Sequence, residues 1–259
     1  MQNLEEFKGK VVLITGGGKG VGRGISERFL ERGAEVLICG REAPPAMPGT
    51  GARSARFLAA DVRKQGEVDA LFARIANDYG KLHALVNNAG GTPYALAADA
   101  TPRFHEAMIQ LNLTAPLLLA IRANSIMQRQ REGGVVIFIG SISAHTARPG
   151  SATYAAAKAG VLSLVKSLAV EWAPKVRVVS VSPGMIHTEQ SQLHYGDEQG
   201  VAAVASTVPL QRLGLPTDIG DACVYLASER AAYVSGADLL VHGGGERPAF
   251  LNAANVNRT

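Results

Sequence analysis

The sequence is poor in cysteine: Cys39 and Cys223 are the two in 259 residues, and neither belongs to a C-x-x-C pair. Neither a disulfide framework nor a cysteine zinc site is expected, and both thiols read as small core filler. Charge is scarce and nearly balanced, with 26 Lys plus Arg against 22 Asp plus Glu, a formal +4. No basic run exceeds two residues, and only 5% of the chain is aromatic. A nucleic-acid surface needs clustered cations and rings on which bases stack, so no nucleic-acid partner is expected. Long apolar runs are missing as well. Nothing approaches the ~18 consecutive apolar residues of a membrane span, so no membrane partner is expected either. Met1–Lys8 carries Glu5 and Glu6 without an apolar stretch and does not read as a signal peptide, which makes the cytoplasm the expected location. His145, His187 and His194 lack ligand spacing and a neighbouring carboxylate pair, so no metal is expected.

What the chain has is apolar residues (47%) and glycine, 29 in all or about 11%, against a usual ~7%. The apolar content excludes disorder for most of the chain. The length fits one α/β domain over 1–259, with a loosely held tail from 246. Short Val/Ile-rich runs occur at Val11–Ile14, Val36–Cys39, Leu85–Val86, Val135–Ile139, Val176–Val181 and Leu239–Val241. They are apolar at consecutive positions, as strands buried on both faces of a parallel sheet are. Between them lie helical stripes, such as Val21, Ile25 and Phe29, or Val68, Leu71, Phe72, Ile75 and Tyr79. This alternation predicts a doubly wound α/β fold, a mostly parallel sheet with helices on both faces. Glu42–Ser54, with three prolines and two glycines, reads as a loop after the second strand. Thr188–Leu210 reads as irregular, with weak helical character around Asp197–Ser206.

The first strand runs into Gly16-Gly17-Gly18-Lys19-Gly20-Val21-Gly22 and then directly into a helix. Glycines allow backbone N–H groups to approach an anion, and a helix N-terminus offers unpaired donors. No register fits G-x-G-x-x-G, and no Gly-Lys-Ser/Thr follows for a Walker loop. What fits is T-G-x-x-x-G-x-G at Thr15, Gly16, Gly20 and Gly22.

Tyr154 and Lys158 stand four apart within the helix-forming Ser151–Trp172 segment, which places them on one helix face. An ammonium beside a phenol favours the phenolate, so the pair can act as an acid/base. Such a pair is common on exposed helices, and its context gives it weight. Ser141 follows a buried strand thirteen residues upstream, and Asn112 interrupts an apolar helix, where a polar side chain needs a partner.

Together these residues resemble the short-chain dehydrogenase/reductase family in its single-domain form of about 250 residues, from Lys10 to about Gly244. Asn87-Asn88-Ala89-Gly90 resembles the motif ending that family's fourth strand. Asn112, Ser141, Tyr154 and Lys158 resemble its catalytic tetrad, and Asp61-Val62 its adenine contact. Pro183-Gly184-Met185-Ile186-His187-Thr188 resembles its P-G-x-x-x-T segment. The resemblance implies a Rossmann-type fold and an NAD(P)-dependent oxidoreductase moving hydride between the nicotinamide and a ketone or secondary alcohol. Tyr154 would be the acid/base, Lys158 would lower its pKa and bind the ribose, and Ser141 would polarise the substrate oxygen. Asn112 would hold a water leading to Lys158. The cofactor contacts implied are Gly16, Lys19, Gly20, Val21, Gly22, Arg41, Asp61, Val62, Asn88, Ala89, Gly90, Tyr154, Lys158, Pro183, Gly184, Ile186 and Thr188.

NAD users place an acid at the end of the second strand, to bind both ribose hydroxyls. Gly40 occupies that place and Arg41 follows, with Lys19 in the glycine loop, so NADP is expected and NAD is the less favoured option; Glu42 is a counter-signal. The substrate wall is expected from Gly91, Ser143, His145, Met185 and His187, and Thr188–Leu210 is expected to form a lid. Similarity to 3-oxoacyl-carrier-protein reductases extends to Tyr154-Ala155-Ala156-Ala157-Lys158 and makes a 3-oxoacyl thioester one candidate substrate. The rival readings are a non-redox cofactor sensor on the same fold and an NAD-dependent alcohol dehydrogenase. Val241-His242-Gly243-Gly244 departs from the family's frequent Val-Asp-Gly-Gly. The resemblance also implies a homo-oligomer, tetramer or dimer, packed through Thr101–Arg131 and Ser151–Trp172.

Overall fold

The computed structural model describes residues 5–246 and 248–253. The chain opens with β1 (Val11–Thr15), α1 (Gly20–Glu31) and β2 (Glu35–Gly40), followed by a small hairpin of β3 (Gly49–Thr50) and β4 (Arg53–Ser54). Next come β5 (Arg56–Ala59), α2 (Gln65–Tyr79), β6 (Ala84–Asn87), α3 (Pro102–Ile109) and α4 (Ala115–Met127). β7 (Gly134–Ile139), α5 (Ala152–Glu171) and β8 (Val176–Pro183) complete the centre. The last part holds α6 (Ser191–Tyr195), α7 (Glu198–Thr207), α8 (Pro216–Ala227), β9 (Asp238–Val241) and α9 (Phe250–Ala253).

Seven strands form one sheet among the described residues in the order β5-β2-β1-β6-β7-β8-β9, and all its neighbouring strands pair in parallel. All six apolar runs are strands of this sheet. Alternation along β1 sends Val11 and Leu13 into one core and Val12 and Ile14 into the other. The first core lies under α2, α4 and α5, the second under α1 and α8. The chain order reverses between β1 and β6, and ligands of doubly wound sheets bind at such a point, beyond the carboxyl ends of the strands.

Three local readings change. β5 was not expected. It is a four-residue edge strand that, among the described residues, pairs with β2 alone, and Phe57, Leu58 and Ala59 after Arg56 are too short an apolar run to stand out. The Glu42–Ser54 loop contains the β3–β4 hairpin. In Thr188–Leu210 the helical character expected around Asp197–Ser206 is α7, which Asp197 caps by accepting a hydrogen bond from the Gly200 N–H at 3.0 Å, and the unexpected element is α6 before it. Of the tail expected from 246, α9 is described, and Arg247 and 254–259 lie outside the described residues.

By length and composition, the helical stretch Pro102–Met127 is the one among the described residues that could cross a bilayer. It is a core helix: Leu119, Ala120, Ala123 and Met127 pack into the first core, and Arg122 reaches Asp69 on α2 at 2.6 Å. A single π-type turn, Gln110–Thr114, sits between α3 and α4 and carries Asn112. Such turns cluster at functional positions.

Candidate active site

The glycine loop is tied to the end of β6. Thr15 Oγ1 accepts from the backbone N–H groups of Asn88 (2.9 Å) and Ala89 (2.8 Å), and Asn88 Nδ2 donates to the Thr15 carbonyl at 2.9 Å. Ser26, fully buried on α1, sets its hydroxyl 2.9 Å from the carbonyl oxygens of both Gly17 and Gly22. Gly16 has φ +64°, a conformation glycine adopts without strain. A Cβ at Gly22 would collide with the Gly16 carbonyl oxygen and come within 2.5 Å of Asn88 Nδ2. Two strand ends and a helix N-terminus are thus held together by contacts that leave no room for side chains.

A cavity of about 530 Å³ runs from this loop across the carboxyl ends of the strands. Gly16, Lys19, Gly20, Val21 and Gly22 line one wall, and Gly40, Arg41, Asp61 and Val62 line the end beside β2. Asn88, Ala89, Gly90 and Gly91 line the middle. Ser141, Tyr154 and Lys158 close the far end with Pro183, Gly184, Ile186 and Thr188. Every residue expected to touch a dinucleotide therefore lines one cavity. Its length, the glycine cradle and the helix N-terminus suit a nicotinamide dinucleotide.

The tetrad is brought together as follows. β7 ends at Ile139, and Ser141 opens a short 3₁₀ turn over Ile142–Ala144. α5 starts at Ala152, which puts Tyr154 in its first turn and Lys158 one turn further along. Lys158 is buried, and its Nζ donates to the Ile139 carbonyl at 2.7 Å and lies 5.6 Å from the centre of the Tyr154 ring. Burial pushes the lysine down to about 8 from its usual 10.5. The unfolded chain binds this proton more tightly, so the cost to the fold is complete below pH 8 and fades as the pH rises towards 10.5.

Lys158 was expected to lower the Tyr154 pKa, and its ammonium lies over the ring. Burial raises that pKa, and the Ser141 hydroxyl opposes the rise. Asn112 stands in the π-type turn. It is fully buried behind the cavity wall, where its Oδ1 accepts from the Gly91 N–H (2.9 Å). Its Nδ2 donates to the carbonyls of Gly91 (3.1 Å) and Met108 (3.0 Å). Oδ1 and one amide hydrogen bond brace the Gly91 backbone, and the other bond returns to Met108 one turn back on its own helix. A Cβ on Gly90 would lie 2.7 Å from Asn112 Oδ1 and 3.6 Å from Lys158 Nζ.

Of the five residues expected on the substrate wall, Gly91 alone lines this cavity. The Ser143 N–H donates to Ser141 Oγ at 3.1 Å, and the His145 ring reaches Asp238 at 3.0 Å. Met185 lines a separate cavity of about 230 Å³, and His187 an apolar one of about 670 Å³ beside α7. The cause is backbone pairing. Met185–His187 is pinned to Gly214 by two hydrogen bonds, and in extended chain alternate residues face opposite ways. Ile186 and Thr188 face the dinucleotide cavity, and His187 faces away. His242 packs against Gly184, where an added Cβ would lie 2.7 Å from its own Cβ, so this departure from the family pattern sits directly beneath the cavity wall.

Arg63 was missed. It lines the cavity and grips Asp61 with Nε (2.9 Å) and Nη2 (2.7 Å), holding that carboxyl down at about 2. Its place two residues after Asp61 was the available signal. Ser26, Glu189 and Gln190 were missed too; the last two follow Thr188 into the cavity wall.

The family model described as Enoyl-(Acyl carrier protein) reductase, of the short-chain alcohol dehydrogenase type, matches residues 16–246. The chain is 36% identical over 245 residues to the 3-oxoacyl-[acyl-carrier-protein] reductase FabG of Vibrio cholerae serotype O1, covering 93% of this chain and 98% of that one. It is 33% identical over 241 residues to the FabG of Escherichia coli strain K12, covering 92% and 98%. Among solved structures, the ligand-free aldohexose dehydrogenase (AldT) of Thermoplasma acidophilum superposes with a TM-score of 0.86 at 28% identity, covering 99% of both chains. With the fold, the matched model and these relatives in agreement, the chain belongs to the short-chain dehydrogenase/reductase family, NAD(P)-dependent oxidoreductases that act on CH–OH groups.

Proposed function

We propose that this chain is an NADP(H)-dependent reductase of ketones, running in reverse on secondary alcohols, with 3-oxoacyl thioesters as its first candidate substrates. The observation that carries the reading is that Ser141, Tyr154 and Lys158 line the same end of the dinucleotide cavity. Two hydroxyls at that end can both donate to one carbonyl oxygen. Bound in the cavity, the nicotinamide supplies or accepts the hydride. Tyr154 keeps its proton at neutral pH, because burial raises its pKa, and delivers it to the developing alkoxide. Ser141 donates to the same oxygen and polarises the carbonyl. Lys158 keeps a positive charge next to the phenol, fixed by the Ile139 carbonyl. Asn112 fixes the Gly91 backbone in the cavity wall that would hold the nicotinamide end of the cofactor. The printed names of the FabG relatives support the acyl-thioester class. Oxidation of a sugar hydroxyl is a second reading, favoured by the likeness to aldohexose dehydrogenase.

The preference for NADP rests on the β2 end of the cavity. Arg41 lines it and Lys19 lines the glycine-loop wall of the same cavity; both are exposed, and neither has an ion-pair partner among the described residues. An added Cβ at Gly40 would meet nothing closer than 3.7 Å. An acid would therefore fit there, and its absence leaves the ribose end open to a 2′-phosphate. The pair of exposed cations suits that phosphate. Wild-type kcat/KM is expected to be higher with NADPH than with NADH. Arg41→Ala is expected to raise the KM for NADPH by about 10- to 100-fold, the worth of one charged hydrogen bond, and to leave the KM for NADH unchanged. A wild-type preference for NADH refutes the assignment.

Lys158 makes a pH prediction. Its ammonium is present below about pH 8 and lost above it. The kcat/KM for ketone reduction is expected to fall as the pH rises through this value, and Lys158→Met is expected to remove that limb together with most of the activity. A wild-type profile that stays flat to pH 10 contradicts the role given to Lys158.

The reading extends to a single-domain, cytoplasmic enzyme working as a homo-oligomer. Exposed Leu118 and Ile121 on α4 and Val170 on α5 support the last point, because these are the helices expected to pack subunits together.

A further inference from the structure

Asp238 is the first residue of β9 and lies 93 positions from His145, yet it is at the centre of a polar cluster. Its Oδ1 accepts from the hydroxyls of Ser180 (2.6 Å) and Ser182 (2.9 Å), two fully buried serines on one face of β8. Its Oδ2 lies 3.0 Å from His145 Nε2, which carries the proton because a carboxylate only accepts. Buried hydroxyls in a strand need partners, and here a single carboxylate satisfies both.

Both ends of the turn that carries Ser141 touch this cluster. At the leading end, Ser182 Oγ fills the space a side chain on Gly140 would occupy, directly before Ser141. At the trailing end, His145 follows the turn Ile142–Ala144, and its ring is bonded to Asp238. Between them the turn is held by its own bonds. Ala144 N–H donates to Ser141 O (3.0 Å), His145 N–H to Ile142 O (2.9 Å), and Ser143 N–H to Ser141 Oγ (3.1 Å). The Ser143 bond uses an acceptor site of the Ser141 hydroxyl and leaves its proton to point towards Tyr154.

We propose that Asp238 is a positioning residue for the reaction: through Ser182 and His145 it clamps both ends of the Ser141 turn and aims the Ser141 hydroxyl at the oxygen that Tyr154 protonates. The inference rests on the carbonyl-reductase reading for its chemical consequence and on geometry alone for the clamp. Ser141 gains no new contact from Asp238. It gains a fixed direction, and small misplacements of a reacting group can cost about 100-fold in rate.

The test compares Asp238→Ala, Asp238→Asn, His145→Ala and the wild-type enzyme by two readouts. The first is backbone hydrogen exchange at Ala144, His145 and Thr146 without cofactor. The second is kcat with a ketone beside the KM for NADPH. His145→Ala cuts the tie to the turn and leaves the buried serines paired, so it stays informative even if Asp238→Ala folds poorly. Exchange in the turn is expected to speed up at least about tenfold in both alanine variants. Their kcat is expected to fall by about tenfold or more with the KM for NADPH within about twofold. Asp238→Asn, which can still accept from both serines, is expected to recover most of both properties. Unchanged turn exchange in His145→Ala overturns the clamp, and faster exchange with full kcat overturns its role in the reaction. Failure of the wild-type protein to reduce any ketone defeats the functional reading alone, and the exchange comparison still decides whether Asp238 holds the turn.

Discussion

Tyr154→Phe is expected to bind NADPH as the wild-type protein does and to lose between about 10²- and 10⁴-fold in kcat, the usual worth of a single acid/base group. The substitution removes one oxygen atom and keeps the ring that fills the mouth of α5. The direct structural loss is one polar interaction beside Ser141, about 1 kcal/mol at most, so a melting temperature within a few degrees of wild type is expected. The cofactor cradle is built by Thr15, Gly16, Gly22, Ser26 and Asn88 without the phenol, which is why binding survives. A fluorescence titration with NADPH and a steady-state assay on the same preparation separate the two quantities. Ser141→Ala is expected to be milder, since Tyr154 still donates to the substrate oxygen. Full turnover in Tyr154→Phe removes the phenol from the mechanism.

The second large effect lies at the opposite end of the cavity. Gly22→Ala adds one methyl group and is expected to weaken NADPH binding by more than about 100-fold. The methyl collides with the Gly16 carbonyl oxygen and comes within 2.5 Å of Asn88 Nδ2. Neither can retreat freely, because Asn88 is bonded to Thr15 and Gly16 and α1 starts from this loop. Overpacking of this kind costs about 1–3 kcal/mol where the core cannot adjust. Here the adjustment would move the N–H groups that face the phosphates. Gly66→Ala is the control: Gly66 is exposed at the start of α2, an added Cβ meets nothing within 4 Å, and binding is expected to stay at the wild-type level. Calorimetric titration of both variants with NADPH checks the contrast, and wild-type affinity in Gly22→Ala contradicts the cradle.

The parts of the site that depend on local spacing were legible in the sequence. Gly16, Gly20 and Gly22 announce a cradle through their distances from each other and from the strand before them. Tyr154 and Lys158 share a helix face at four residues apart. The parallel sheet was legible because strands buried on both faces are apolar at every position. The parts that depend on a distant partner were not legible. β5 is a strand because β2 offers it an edge. His187 turns away from the cavity because Gly214 pins the backbone beside it. His145, read as a substrate contact, is held by Asp238 from the far end of the chain. The Tyr154 pKa was read from its charged neighbour, whereas burial, which raises it, depends on the whole fold around the ring.

The central claim is hydride delivery to a carbonyl carbon, with Tyr154 supplying the proton. NADPH carrying deuterium on its reactive carbon, incubated with the enzyme and a 3-oxoacyl thioester or a simple ketone, tests it in one measurement. An alcohol with deuterium on the carbinol carbon is expected, formed by the wild-type protein and nearly absent with Tyr154→Phe. No alcohol from any ketone, or deuterium delivered to a carbon–carbon double bond in place of the carbonyl, would contradict it.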